Sequence, residues 1–244
     1  MLNDFFSGAG YLIKGTRLAV KPELRRFILV PILINIAVFT AAIWLGTLYF
    51  ETMLDWLLPE SSEWWFESAR TVIWILFGMI ILLITFFTFT VVANIIGAPF
   101  NGLLSEVVEE QLAGKRPGED EGVRQFISTI IPAIANEFKK LFYFTVCGAA
   151  TSLILLIPGL NLIAPLAWII FTSWMLALEY IAYPMENHNI FFSRARKELK
   201  GKKSITLGFG LTIMIATAIP LINFFVMPSA VAGATAMWLD RLRD

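Results

Sequence analysis

Histidine, cysteine and charge in the long apolar stretches are what this sequence lacks. Its 244 residues hold one histidine and one cysteine. A lone histidine excludes a His-based metal cluster within the chain. A lone cysteine excludes an intrachain disulfide framework and makes no thiolate metal site. Cys147 sits in an apolar run and reads as a small buried hydrophobe. The patterns G-x-x-x-x-G-K-[ST], H-E-x-x-H and G-x-S-x-G are all missing, so the chain shows no ATPase, zinc-hydrolase or serine-hydrolase motif of its own. Nineteen Lys and Arg balance nineteen Asp and Glu, which gives no basic excess for a nucleic-acid partner. No metal and no cofactor are expected.

Charge is missing in blocks. None occurs in residues 27–50, 71–105, 141–178 or 204–239. Hydrophobic residues make up 57% of the chain and the mean hydropathy is +0.72, above what a soluble domain carries. About 20 apolar residues cross a bilayer as a helix, so the expectation is an all-α integral membrane protein. The first run begins too late and is too long and aromatic for a cleaved signal peptide. An intramembrane enzyme needs carboxylates, histidines or paired nucleophiles at depth, and the four runs offer amides and hydroxyls instead. The chain is therefore expected not to be an enzyme.

The runs differ in kind. Residues 27–50 read as one full transmembrane helix, with Pro31 tolerated in its first turns. Residues 71–112 read as a second, kinked or interrupted by Gly97, Pro99 and Gly102 in "NIIGAPFNGLLSEVVEEQL" and continuing at helical spacing beyond. The third run is broken by "IPGLNLIAP" (157–165) and the fourth by "IPLINFFVMP" (219–228). Each break has Ile-Pro, then Asn161 or Asn223, then a second proline, a weak internal repeat. Tight pairs of short spanning helices and partly penetrating helical hairpins both fit. The favoured reading is two hairpins, 141–178 and 204–239, whose tips need burial in protein or a wet cavity, and hence a homo-oligomer.

Of the nineteen basic residues, eighteen fall in 1–26, 106–140, 179–203 and the tail. The connection 51–70 carries one against five acids. The positive-inside rule places the basic side, with both termini, in the cytoplasm, and puts Trp56, Trp64 and Trp65 at the outer interface. The expected layout is a single membrane domain, 1–244. Segment 1–26 is an amphipathic helix with Phe5, Ala9, Leu12, Ile13 and Val20 toward the membrane, ending in a basic turn. Segment 51–70 is a periplasmic connection, 113–140 a cytoplasmic loop and helix with Phe126–Leu141 at helical spacing, and 179–203 a cytoplasmic helix.

One polar corner stands out. In "KPELRRF" (21–27), Pro22 suits a helix first turn. The N–H groups of Glu23, Leu24 and Arg25 would then be free at the positive end of the helix dipole. Arg25 and Arg26 add two guanidinium forks. Two readings stand: membrane-edge anchors, or an anion site. Elsewhere Asn35, Asn94 and Asn223 are pore candidates, since amides solvate an anion without trapping it. Glu106 and Glu109 could pair with basic residues at a pore mouth or simply lie on a helix surface. His188 is the one side chain titrating near neutrality, with a loop role set against proton coupling.

"KPELRRFILVPILIN", "NIIGAPFNGLLSEVVE", "YIAYPMENH" (180–188) and "AIPLINFFVMPSAVAGATAMW" occur in this order over most of the chain. With them the sequence resembles the CysZ family of bacterial inner-membrane sulfate permeases. The resemblance implies two full transmembrane helices, two partly penetrating hairpins and an oligomer. It implies sulfate as substrate, taken up to supply sulfate assimilation and cysteine synthesis; selectivity against sulfite stays open, and the lack of an obvious cation site favours a channel-like permease without its own ATPase. It also implies an anion motif, Gly-Leu-Arg, at the start of the first spanning helix. Leu24 and Arg25 match its last two positions, Arg26 follows, and Glu23 stands in place of the glycine, so the implied sulfate site is Glu23, Leu24, Arg25 and Arg26. The rival reading is a non-transporting membrane scaffold or regulator of a partner membrane protein.

Overall fold

A computed structural model of the chain describes residues 1–57, 64–115, 117 and 123–243, with backbone alone over most of 85–99 and 123–135. All regular elements among them are helical: α1 (Leu2–Ala19), α2 (Pro22–Leu57), α3 (Trp64–Ala113), α4 (Val123–Leu153), α5 (Ala164–Glu186), α6 (Phe192–Gly201), α7 (Lys203–Thr217) and α8 (Pro220–Met237), then a π-helical turn, Trp238–Leu242. Three stretches are long and apolar enough to cross a membrane: Pro22–Phe50, Asn136–Leu156 and Ala164–Glu186. This is an all-helical membrane protein. The side chains of Asn94 and of 126–134, and most of the 113–122 turn, lie outside the described residues.

The contacts separate two compact units, Met1–Phe27 with Asn101–Asp244, and Ile28–Phe100. In the second unit the rings of Phe50 and Phe77 stack at 3.4 Å, and Trp74 meets Phe50 edge-on at 4.6 Å. Away from that seam Leu33, Ile36 and Trp44 on α2, and Ile75, Met79 and Leu83 on α3, are exposed, as lipid-facing side chains are.

In the first unit α1 packs on α7 and α8, and α5 packs on α7. The close approach runs through glycine. A Cβ on Gly8 would strike the Ile205 carbonyl, one on Gly15 the Ser229 carbonyl, and one on Gly208 the Phe5 carbonyl. Small residues at such spacing let helix backbones touch in a membrane, where apolar burial drives little association. α1 thus has a packing face that its apolar pattern does not mark. Gly8, Tyr11, Leu12, Gly15 and Leu18 are its buried face, while Ile13 and Val20 are 58% and 52% exposed. A hydrophobic pattern scores glycine as nothing, yet here glycine marks the contact. Polar ties close the same seam: Tyr11 donates to Asp240 Oδ2 at 3.2 Å, Lys14 meets Asp240 at 2.6 Å and Arg241 meets Asp4 at 3.0 Å. Burial, then the Asp240 carboxylate, push the Tyr11 hydroxyl up to about 12, so it remains a donor.

Two expectations about breaks change and one holds. The helix α3 runs unbroken through Gly97, Pro99 and Gly102; one missing N–H is a local loss that neighbouring groups can make good in a membrane protein. The fourth run breaks only at Ala218–Ile219. Pro220 starts α8, where its missing N–H costs little, and both Asn223 and Pro228 lie within the helix. The third run breaks over a longer turn with two 3-10 segments, Ile154–Leu156 and Leu160–Leu162, and Gly159 at φ +85°. The two breaks therefore differ in shape: Asn161 lies in a turn and Asn223 in a helix.

The tip of that turn bonds itself. Ile157 N–H reaches Ile154 O, Leu160 and Asn161 N–H reach Ile157 O, and Ile163 N–H reaches Leu160 O. These four bonds satisfy part of the turn's backbone from within. The tip is apolar and open, with Leu156 76% and Leu162 84% exposed.

Candidate functional site

Lys21 ends the short connection from α1, and its carbonyl accepts from Leu24 N–H at 3.0 Å and Arg25 N–H at 3.2 Å. Of the three N–H groups expected to be free, two are thus engaged, because the last residue before a helix lends its carbonyl to the first turns. The Glu23 N–H is the one left. Leu24 is fully buried, in the core that also holds Leu104, Val108 and Met185. Its role is to seat the start of α2 so that its neighbours face outward.

Those neighbours form a basic junction. Glu23, Arg25 and Arg26 are exposed, as are Arg17 and Lys21. Arg25 Nε donates to the Val20 carbonyl at 3.0 Å, so half of the fork locks the α1–α2 connection and aims the terminal N–H groups outward. The Arg26 guanidinium lies over the Phe27 ring at 4.9 Å. Four cations and one carboxylate thus surround a helix N-terminus. Chemically the corner can hold an oxyanion through guanidinium forks and one backbone N–H, and it has no nucleophile or general base poised for catalysis. Among the described residues no group of three or more His, Cys, Asp or Glu could hold a metal ion.

A second polar group lies in the first unit at the end of α3. Asn101, Ser105 and Glu109 repeat every four residues and are all buried. Asn101 Nδ2 donates to Tyr183 Oη at 3.3 Å. Ser105 Oγ lies 2.9 Å from Thr235 Oγ1, which itself donates to the Val231 carbonyl, so Ser105 is the donor. Glu109 is 2% exposed; His188 Nε2 lies 2.8 Å and Arg243 Nη1 3.3 Å from its Oε1. Its Oε2 is buried without a partner among the described residues. Glu109 is therefore an interior hub and not an exposed helix-surface residue, while Glu106 is half-buried. The four-residue spacing was legible in the sequence as a polar stripe. Its partners Tyr183, Thr235 and Arg243 were not, since each comes from a distant segment. Removing the hub by Glu109→Ala strands two basic groups and is expected to cost about 2–3 kcal/mol, less than for a fully buried pair because both partners reach solvent; chemical denaturation in micelles measures it.

The remaining expected residues are placed as follows. Asn35 is buried, with no partner for Oδ1 among the described residues. Asn223 is exposed on α8. Lys140, one of the basic residues counted in 106–140, is buried between Glu137 at 2.8 Å and Glu179 at 3.0 Å.

Residues 11–228 match the family model described as sulfate transporter CysZ/etoposide-induced protein 2.4. The chain is 40% identical over 237 residues to a sulfate transporter CysZ of Vibrio cholerae serotype O1, covering 96% of this chain and 93% of that protein. It is 39% identical over 233 residues to a protein of the same name from Pseudomonas aeruginosa, covering 96% and 94%. A third, from Vibrio parahaemolyticus serotype O3:K6, is 40% identical over 245 residues, covering 99% and 97%.

Proposed function

Since this chain belongs to the sulfate transporter CysZ/etoposide-induced protein 2.4 family, we infer that it carries sulfate across a membrane. The observation that carries this is the extent of the match, 40% identity over 96% of the chain. It is a transporter and not an enzyme.

The finer reading is as follows. Sulfate, or sulfite, is first met at the basic junction of Glu23, Leu24, Arg25 and Arg26, where the two guanidinium groups are exposed and the Glu23 N–H is open. Leu24 acts there through packing and the Glu23 side chain opposes the anion, which favours its backbone as the contact. Asn35, Asn94 and Asn223 are the amide candidates for solvating the anion in passage and Glu106 the candidate at the cytoplasmic mouth, while Glu109 is engaged with His188 and Arg243. The chain sits in the bacterial inner membrane as a homo-oligomer, with two full transmembrane helices and two hairpins. A hairpin returns to its side of entry at any depth, so both termini share the cytoplasmic side with the basic segments. The exposed leucines of the α4–α5 tip support a tip that stays in lipid.

Energetics shape the mechanism. A dianion moving inward against 100 mV loses about 4.6 kcal/mol, twice the ~2.3 per charge. A channel-like permease without its own ATPase therefore needs rapid consumption inside, and sulfate assimilation toward cysteine synthesis provides it. Radiolabelled sulfate is expected to enter proteoliposomes faster than protein-free vesicles, with no requirement for an imposed proton gradient. Flux equal to that of empty vesicles would return the scaffold reading.

A further inference from the structure

The α6–α7 turn, the first turn of α1 and the C-terminal turn enclose a cavity of about 530 Å³. Lys200, Lys202, Lys203 and Arg241 line it, with Asp4 as the one carboxylate among its lining residues. Asp4 is already taken by Arg241 Nη2 at 3.0 Å. Lys202 Nζ donates to the carbonyls of Arg241 and Leu242 at 2.7 and 3.4 Å, which pins the C-terminal turn as one wall. Lys200 and Lys203 are both exposed. Lys200 and Lys203 thus add two exposed positive charges to the lining, and Ser204 and Ile205 at the start of α7 face the same space.

Apolar side chains also border the cavity. On the same turns of α1, Met1, Leu2 and Phe6 are 90%, 75% and 68% exposed. Cations beside bare apolar side chains suit an amphiphile, whereas a free anion has no use for the apolar half. A volume of this size also lies in the range of small-ligand pockets, and a basic pocket beside apolar surface is how anionic headgroups are held. We propose that this cavity binds the phosphate of an anionic phospholipid, with the acyl chains lying along Met1, Leu2 and Phe6. The site shares no residue with the Arg25–Arg26 junction and does not depend on the sulfate reading.

The test titrates the full-length protein in neutral detergent with short-chain phosphatidylglycerol, phosphatidylcholine and inorganic phosphate. Saturable phosphatidylglycerol binding is expected, with Kd about tenfold higher in the Lys200→Ala/Lys203→Ala variant. An Arg194→Ala/Lys197→Ala variant, which removes the same charge from the exposed face of α6, is expected to bind as the parent does. Equal losses in the two variants would mean diffuse surface charge and overturn the site. Inorganic phosphate binding as tightly as phosphatidylglycerol would overturn the lipid assignment. Sulfate binding by Lys200→Ala/Lys203→Ala protein is expected at the parental level, so failure of one reading is separable from failure of the other.

Discussion

Sulfate affinity is expected to fall about tenfold to a hundredfold when Arg25 and Arg26 are both replaced by alanine. Each guanidinium fork offers a dianion charge-assisted hydrogen bonds worth up to ~1.5–3 kcal/mol apiece. Both side chains are exposed, so water and salt screening reduce that sum. Equilibrium binding of labelled sulfate to purified protein reads the loss, and flux into vesicles should follow it. Arg25→Lys is informative beside it. Lysine keeps the charge but loses the fork, and it loses the Nε bond to the Val20 carbonyl that aims the group. Its affinity is expected between parent and double variant. Sulfate binding unchanged in the double variant would leave both arginines as anchors. The same experiment in Glu23→Gly protein, which restores the residue the motif calls for, is expected to raise affinity by removing a like charge.

The largest stability effect is expected at Gly15. Its Cβ position is occupied by the Ser229 carbonyl and by Gly233 of α8. Gly15→Leu must push apart a pair of helices whose backbones touch, a loss of at least about 3 kcal/mol at the upper end of overpacking. The contrast with Gly10 gives the test its sign. Gly10 lies on the same helix with nothing within 4 Å of its Cβ position. Gly10→Ala is expected to stabilise by about 0.5–1 kcal/mol through helix propensity, whereas Gly15→Ala destabilises. Thermal unfolding of both alanine variants in one detergent compares them directly. Two shifts of the same sign would mean that the α1–α8 contact does not limit stability.

Both predictions rest on features that the sequence showed incompletely. Blocks of uncharged residues gave the membrane class, because a bilayer admits few charges and chain length sets what can cross. The positions of the breaks near Pro158 and Pro220 were legible from proline, but their shapes were not. Pro220 opens a helix, Pro228 sits inside one, and Pro99 interrupts nothing. A proline's effect depends on whether its neighbours satisfy the carbonyl it frees, which is a tertiary matter. At the basic junction Arg25 and Arg26 were visible as an anion-suited pair. The capture of the Leu24 and Arg25 N–H groups by Lys21 O was not, because it depends on where the helix begins.

The same division holds for the whole protein. By itself the sequence determined a helical membrane protein with its basic residues gathered on a few segments, for those follow from composition and spacing alone. Tertiary structure decided which faces touch. It put Gly8, Gly15 and Gly208 against backbone carbonyls, Glu109 between His188 and Arg243, and four cations around one cavity. Each of those joins residues far apart in the chain, and in lipid the choice among apolar faces is made by close packing and hydrogen bonds that hydropathy does not register.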